Sequence, residues 1–228
     1  MAGEMIVPSS AIAGAVIMKL HSRDIPYYSQ WETADMTLAV YEEGASALLR
    51  DPLWAQSGAD DVEEYSRWAV NICGMACLKM VLASRGEFHS TMSLARACRA
   101  YGGYVVSDMD ASIKGLIYRP FVSFVEERFG GRAEVKIDVD VDSLTAVLAA
   151  HQFFLASVHS DIRWPSSTPL SKGGHLVLVT GATERAVQFH NPSGHDVATQ
   201  VDVVLPLAVF GRFFAGRGIA LSFDSEIR

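Results

Sequence analysis

Residues 71–82 have the sequence Asn-Ile-Cys-Gly-Met-Ala-Cys-Leu-Lys-Met-Val-Leu. From Cys73 onward, small or apolar residues recur at positions i, i+3, i+4, i+7 and i+8 of one helix face. Leu78 and Leu82 widen that face, and only Lys79 interrupts it. A helix that is apolar around most of its girth belongs in a domain interior. The pattern therefore predicts a buried central helix with Cys73 in its first turn.

Cys73 is the candidate nucleophile, because it stands where a helix most favours a thiolate. The free N–H groups and the dipole at a helix N-terminus stabilise the charged sulfur relative to the thiol. Gly74 has no side chain to obstruct the backbone, so main-chain N–H groups could face a developing oxyanion. We therefore take Gly74 as a candidate substrate-binding residue. The alternative is that Cys73 is a small buried hydrophobic residue, as free cysteines usually are.

The composition argues against several classes of protein. The chain has 228 residues, 50% hydrophobic and 20% charged, which predicts one well-packed globular domain. A formal net charge of -7 and a pI near 5.5 argue against nucleic acid or an anionic membrane as a partner. Three cysteines are too few for a disulfide framework, so we expect a reducing compartment, the cytoplasm.

The first 22 residues predict an N-terminal arm that packs on the domain. Residues 6–20 are apolar apart from two serines and a lysine, but Glu4 stands where a signal peptide has its basic start. The apolar run is short for a membrane span and contains Pro8 and Gly14. We therefore assign residues 1–22 to the arm and residues 23–228 to the domain.

The order of the predicted elements indicates an α+β fold. Periodicity and stop signals predict helices first, over residues 33–49, 61–68, 92–98, 120–129 and 144–150, the last capped by Asp142. Short β-branched or aromatic runs predict strands later, at 153–158, 175–180, 186–190 and 219–223, with one helix at 205–214. This order is typical of a fold in which a central helix packs against a mostly antiparallel sheet.

A histidine and an asparagine in the strand half complete a candidate catalytic set. His175 begins an apolar strand directly after Gly173-Gly174, and Asn191 ends the next strand. Two antiparallel strands joined by the turn at 182–185 would place both side chains near one edge of the sheet. An imidazole beside a thiolate, with an amide oxygen orienting its other nitrogen, is the Cys-His-Asn form of the nucleophile, base and orienter arrangement.

Four segments carry a resemblance to a known family. They are Asp-Ile-Pro-Tyr-Tyr-Ser-Gln at 24–30, Cys-Gly-Met-Ala-Cys-Leu-Lys-Met-Val-Leu at 73–82, Gly-Gly-His-Leu-Val-Leu-Val-Thr-Gly at 173–181 and Asn-Pro at 191–192. In this order they resemble the C39-like branch of the papain-type cysteine peptidases over residues 23–195. The resemblance implies a papain-like fold, with Cys73 as nucleophile, His175 as general base and later acid, and Asn191 holding the imidazole. It also implies that Gln30 donates a side-chain N–H to the oxyanion, together with the backbone N–H of Cys73.

Two features depart from the family pattern. The family glutamine usually stands a few residues before the cysteine, whereas Gln30 and Cys73 are 43 positions apart. The intervening residues predict a helical insertion at about 32–68, which could narrow the cleft and makes Gln56 a rival for the oxyanion role. The third catalytic residue, which holds the imidazole, is more often aspartate in this branch, although asparagine has that role in papain itself.

The remaining motifs indicate neither a metal nor a cofactor. Cys73 and Cys77 lie one helical turn apart, but no second pair at ligand spacing completes a metal site. No phosphate-cradling glycine motif is present. The serine- and proline-rich loop at 160–170, which carries Trp164, precedes His175 and could border the cleft. We take Trp164 and Gly174 as further candidate substrate-binding residues.

These residues together predict a thiol-dependent hydrolase. Cys73 would attack a peptide or amide carbonyl, His175 would protonate the leaving amine, and water would release the acyl-enzyme. The resemblance makes intracellular peptide maturation a hypothesis. Capture of the acyl-enzyme by an amine would instead give an acyltransferase or cyclising ligase, and an idle site would give a peptide-binding module. Oligomeric state and substrate identity stay open.

Overall fold

Five helices come first along the described chain, and the strands follow with three further helices among them. The computed structural model describes residues 25–224, so the arm predicted at 1–22 lies outside the described residues. The helices are α1 (Thr37–Glu43), α2 (Val62–Ala69), α3 (Cys73–Ser84), α4 (Thr91–Ala100), α5 (Tyr118–Phe129), α6 (Leu144–Ala150), α7 (Val197–Gln200) and α8 (Leu207–Phe213). The strands are β1 (Arg132–Lys136), β2 (Phe153–Val158), β3 (His175–Ala182), β4 (Ala186–His190), β5 (Val203–Pro206) and β6 (Phe214–Ser222). None of the helices within 25–224 is long and apolar enough to cross a bilayer.

The strands form one antiparallel sheet in the order β1-β6-β2-β3-β4-β5. Every residue of β2 and β3 is buried, because helices cover both faces of the sheet centre. Leu155 and Leu178 pack into the core cluster that contains α3, α4 and α5. Their neighbours Phe154 and Val179 pack into the cluster that contains α6 and α8, as the two-residue alternation of a strand requires. The predicted α+β fold, with a central helix on an antiparallel sheet, is confirmed.

The central helix α3 is buried along nearly its whole length. All ten residues from Gly74 to Ala83 are buried, Lys79 included. The Lys79 ammonium lies 3.8 Å from the Glu32 carboxylate, 3.2 Å from the Thr91 hydroxyl and 4.5 Å from the centroid of the Tyr28 ring. The one polar residue of the predicted apolar face is therefore tolerated because its charge is paired and hydrogen-bonded.

Residues 31–69 build a small helical subcore. Trp31, Leu48, Tyr65 and Ala69 form its buried centre. Asp51, 1% exposed, accepts hydrogen bonds from the Thr33 hydroxyl and from the hydroxyl of Tyr65. These bonds hold the pKa of the Asp51 carboxyl below its ordinary value although its burial acts in the opposite direction.

Three predicted elements differ in detail from the structure. The helix predicted at 33–49 is α1 flanked by 3-10 turns at Ala34–Met36 and Gly44–Arg50, because Gly44 adopts a φ of +71° that ends α1. Asp142 lies within a 3-10 turn and does not cap α6, whose N-cap residue is Ser143 without a side-chain bond. The helix predicted at 205–214 starts as strand β5, since the backbone turns into α8 only after Pro206.

Two strands were missed by the sequence analysis. β1 lies at one edge of the sheet beside β6, and β5 lies at the other edge beside β4. β1 contains three charged residues in five, and β5 is only four residues long. Edge strands have one unpaired side and need few apolar residues, so their sequences carry a weak signal.

Candidate active site

Cys73 is the first residue of α3, as the sequence predicts. Its sulfur lies near three backbone N–H groups, those of Leu176, Gly74 and Cys73 itself, and these favour the thiolate. Burial acts more strongly in the opposite direction and raises the pKa of the Cys73 thiol above its ordinary value. The N–H groups of the helix N-terminus therefore favour the thiolate as expected, but burial outweighs them. The sequence analysis left out this cost of removing the charged sulfur from water.

His175 is the first residue of β3 and lies next to two glycines in the left-handed region, Gly173 (φ +91°) and Gly174 (φ +94°). Its side chain is 5% exposed. The His175 Nε2 lies 2.9 Å from the Oδ1 of Asn191, which follows β4 and is fully buried. An amide oxygen can only accept, so Nε2–H donates this bond and the neutral imidazole has its lone pair on Nδ1. The structure brings His175 and Asn191 together as the sequence predicts.

Ser193 and Arg163 extend this hydrogen-bond network, and sequence reasoning missed both. The Ser193 hydroxyl lies 3.1 Å from His175 Nε2 and accepts a 2.9 Å bond from the Arg163 Nη2. The Arg163 Nε donates to the Ser160 carbonyl at 2.9 Å. Ser193 stands two residues after Asn191, so its nearness to the candidate base was available from the sequence. Arg163 carried no such signal, because it reaches the site from the loop before β3.

The electrostatics around His175 favour its neutral form. Burial, and then the positive charge of Arg163, lower the pKa of His175 to about 3, although the hydrogen bond with Asn191 acts in the opposite direction. Burial thus disfavours the charged forms of both the Cys73 thiol and the His175 imidazole.

Gln30 lies beside the network because its segment is tied to the chain after β4. The Gln30 N–H and the Ser29 hydroxyl both donate to the Pro192 carbonyl at 2.9 Å, and the Tyr27 hydroxyl donates to the Asn191 carbonyl at 3.0 Å. One side-chain N–H of Gln30 donates to the Ala69 carbonyl at 2.9 Å. The Gln30 Oε1 has no hydrogen-bond partner within residues 25–224. The side chain is 5% exposed and lines the cleft next to His175.

The other candidate residues occupy different positions. Gln56 is exposed on the 3-10 turn Trp54–Ser57, and it lines neither of the two cavities that contain His175. Gly74 is buried, and a Cβ there would lie 2.7 Å from the Leu116 side chain, so its lack of a side chain permits a close approach. Trp164 is half-buried, lies edge-on to Tyr41 at 4.6 Å between ring centroids and stacks on His195 at 5.8 Å. Trp164 lines neither of these two cavities, but its ring packs against Tyr41, which lines one of them.

The cleft consists of two cavities that share Val70, Gly174 and His175. Cavity A has a volume of about 340 Å³, contains Cys73 and is also lined by Asn71, Leu116, Tyr118, Ser157 and Arg217. Cavity B has a volume of about 250 Å³ and is also lined by Gln30, Trp31, Tyr41, Ser160 and Arg163. A ligand that crosses from one cavity to the other passes His175. Within residues 25–224 no group of three His, Cys, Asp or Glu side chains is placed to hold a metal ion.

The fold is a papain-like α+β architecture, with a cysteine on the central helix and a histidine on the sheet in one cleft. The model of the Peptidase_C39 like family matches residues 23–213 of the chain. The chain therefore belongs to the C39-like peptidase family, and the predicted family is confirmed. No curated protein matches the chain.

Three solved structures are similar to the chain, and the first of them, with a TM-score of 0.50, shares its fold. A protein described as a C39-like peptidase, from Bacillus anthracis, is 16% identical with a TM-score of 0.50, over 68% of this chain and 90% of that chain. The peptidase domain of Streptococcus ComA, a bi-functional ABC transporter involved in a quorum sensing pathway, is 18% identical with a TM-score of 0.47 over 68% and 93%. A double glycine motif protease from an AMS/PCAT transporter, in complex with the leader peptide, is 16% identical with a TM-score of 0.43 over 65% and 82%.

Proposed function

We propose that the protein is a cysteine peptidase or amidase that cleaves an amide bond through an acyl-enzyme on Cys73. The observation that carries the proposal is the 2.9 Å contact between His175 Nε2 and Asn191 Oδ1. This contact fixes the tautomer in which Nδ1 is the basic nitrogen, and the same cavity contains Cys73. Membership of the C39-like peptidase family supports the same assignment.

In the proposed reaction, the Cys73 sulfur bonds to the substrate carbonyl carbon while its proton moves to the His175 Nδ1. The bond between carbon and nitrogen then breaks, and His175 gives the proton to the leaving amine. Water attacks the thioester carbon and loses a proton to His175. The bond between carbon and sulfur then breaks, the carboxylic acid is released, and His175 returns the proton to the Cys73 sulfur. Asn191 holds the imidazole, and its amide oxygen faces the positive charge that forms on the ring.

The oxyanion donors in this proposal are the backbone N–H of Cys73 and the Gln30 side chain. One Gln30 N–H is used by the Ala69 carbonyl, and a side-chain amide has two, so the second N–H is available to the substrate. The bond to Ala69 and the backbone bond to Pro192 hold the amide in place before substrate binds. Such preorganised donors stabilise the charge of the tetrahedral intermediate.

We further propose that the substrate is a peptide or amide that is processed inside the cell. All three cysteines of the chain are free thiols, which suits a reducing compartment. Cell fractionation of a tagged full-length chain tests the compartment, and recovery in an oxidising, extracytoplasmic fraction would contradict it.

Covalent labelling tests the proposed nucleophile and base. The wild type, Cys73→Ala, His175→Ala and the matched control Cys77→Ala are each treated with a limiting amount of an epoxysuccinyl inhibitor at pH 8. Intact-mass analysis then counts the adducts. We expect one adduct on Cys73, unchanged in Cys77→Ala, absent in Cys73→Ala and formed at least tenfold more slowly in His175→Ala.

A peptide library tests the reaction itself. Peptides prepared from a proteome digest are incubated with the same four proteins, and new termini are identified by mass spectrometry. We expect cleavage by the wild type and by Cys77→Ala only. Adducts spread over all three cysteines, with no library cleavage, would overturn the proposed function.

A further inference from the structure

The two cavities of the cleft contain positive charge and no negative charge. Arg217 lines cavity A and Arg163 lines cavity B, whereas no Asp or Glu among residues 25–224 lines either one. The whole chain, in contrast, has a net charge of -7. A cationic cleft in an acidic protein attracts anionic ligands and repels cationic ones.

Arg163 is the more informative of the two, because it is buried. Its side chain is 8% exposed, and its hydrogen bonds go to two neutral acceptors, the Ser160 carbonyl and the Ser193 hydroxyl. Asp161 attracts it from a longer range, but no carboxylate of residues 25–224 lies within 4 Å of the guanidinium. A buried charge is normally paired, since neutral hydrogen bonds only partly replace its hydration. Arg163 lacks such a partner and faces a cavity.

Arg163 is also rigidly held. The bonds to Ser160 and Ser193 use two of its five N–H groups, and its guanidinium carbon lies 5.4 Å from the centroid of the Trp164 ring. Three N–H groups, two on Nη1 and one on Nη2, have no such bond and can donate to a carboxylate. An arginine fixed in this way loses little conformational entropy when it binds an anion.

We propose that cavity B binds a carboxylate of the substrate through Arg163. The proposal rests on the proposed function and specifies its substrate class: peptides or amides with an acidic group on the part of the substrate that lies in cavity B. That group is either an Asp or Glu side chain or a free C-terminal carboxylate. The two sources present the same chemistry to the guanidinium.

The location of Arg163 connects this recognition to catalysis. The Ser193 hydroxyl contacts both the Arg163 Nη2 and the His175 Nε2, so the guanidinium charge acts directly on the base. That charge contributes to the lowered pKa of His175. A carboxylate bound to Arg163 would offset the charge and make it easier for His175 to accept the Cys73 proton. An acidic substrate would thus help to activate its own cleavage.

Paired peptides test the proposal. From library peptides that the wild type cleaves, matched sets are made with Asp or Asn at each position flanking the cut, and with a free or amidated C-terminus. The ratio of kcat/KM for the acidic member to that for the neutral member is measured for the wild type, Arg163→Gln and the surface control Arg132→Gln. At one position or at the C-terminus we expect a ratio of about 10 to 100 in the wild type and in Arg132→Gln, and close to 1 in Arg163→Gln.

The ratio of kcat/KM values separates two roles of Arg163, binding of a substrate carboxylate and positioning of Ser193. If Arg163 serves only to hold Ser193, Arg163→Gln should slow cleavage of the acidic and the neutral peptides equally. The ratio of their kcat/KM values would then stay as it is in the wild type. A wild-type ratio near 1 at every position and at the C-terminus, or a ratio that persists in Arg163→Gln, would overturn the carboxylate site while leaving the proposed function intact. The position of the effect distinguishes a side chain from the C-terminus.

A second readout applies even if no peptide is cleaved, a result that would count against the proposed function itself. Alkylation of Cys73 by iodoacetate is compared with alkylation by iodoacetamide, which has a neutral amide in place of the carboxylate. Each rate is divided by the rate at which the same reagent alkylates free cysteine. We expect the iodoacetate preference of the wild type to fall at least threefold in Arg163→Gln and to persist in Arg132→Gln. An unchanged preference would overturn the carboxylate site.

Discussion

Replacement of Asn191 by aspartate tests how the third residue controls the candidate catalytic pair. Asn191→Asp is nearly isosteric and places a carboxylate where the amide oxygen now lies, 2.9 Å from His175 Nε2. The same oxygen accepts a 3.1 Å bond from the Ser193 N–H, so the new charge has hydrogen-bond donors ready. The buried site therefore accommodates the carboxylate while its shape is preserved.

The expected increase in Cys73 reactivity follows from the charge that the variant places beside His175. In the wild type the pKa of His175 is lowered to about 3 and burial raises the pKa of Cys73, so both groups are neutral at pH 6. A negative charge at hydrogen-bond distance raises the pKa of an imidazole by roughly 1 to 3 pH units. The population of the thiolate-imidazolium pair rises by the same factor, about 10- to 1000-fold. Reactivity follows that population because the thiolate is the nucleophile.

The assay is the second-order rate of Cys73 alkylation by iodoacetamide between pH 5 and 9, followed by intact mass. We expect wild-type labelling to slow steadily below neutral pH, and Asn191→Asp to label at least tenfold faster than the wild type at pH 6. Asn191→Ala is the control, since it removes the acceptor without adding charge, and it is expected to show no gain. Equal rates for the wild type and a fully folded Asn191→Asp would refute the inference that this residue controls the protonation of His175.

Three further variants test separate parts of the structure. Gln30→Ala should lower kcat/KM for a cleaved peptide by roughly 10²–10³-fold. Labelling of Cys73 by iodoacetamide should stay unchanged, because alkylation forms no oxyanion. A parallel fall in the labelling rate would contradict the oxyanion role proposed for Gln30. Glu32→Gln should lower the free energy of unfolding, measured with urea, by about 3–5 kcal/mol because it leaves the buried Lys79 unpaired. The double variant Glu32→Gln with Lys79→Met should lose less than the sum of the single variants, and strict additivity would argue against the pairing. Gly74→Ala brings a Cβ to 2.7 Å from the Leu116 Cδ2, the far end of a flexible side chain that can shift, so thermal unfolding should show a loss below about 1 kcal/mol. A larger loss would show that Leu116 cannot move.

The fold was predictable where burial dominates the sequence. α3 and β2 begin at the residues that the sequence predicts, because every position of β2 and nearly every position of α3 is apolar or small and buried. The edge strand β1 was missed although charged and apolar residues alternate along it, because the run is only five residues long and three of the five are charged. The cap assigned to Asp142 was wrong because a 3-10 turn precedes α6 and places Ser143 at its start.

The candidate site was predictable in its residues more than in its electrostatics. Sequence order and strand pairing suffice to bring His175 to Asn191, since consecutive antiparallel strands carry them. Arg163 was missed because its nearness to Ser193 depends on how a loop folds across the sheet. The raised pKa of Cys73 was not predicted, because the helix N-terminus is a local feature whereas burial depends on the whole domain.

The link between the Gln30 segment and the chain after β4 has a consequence for biosynthesis. Tyr27 and Ser29 bond to the carbonyls of Asn191 and Pro192, which lie 164 and 163 positions later. During translation, Cys73 leaves the ribosome long before His175, its proposed base, and before the residues that anchor Gln30. The nascent chain therefore carries an unactivated thiol, and contacts between such distant residues form late in folding. The peptidase activity proposed for Cys73 would therefore be held back until the residues around Asn191 have been made.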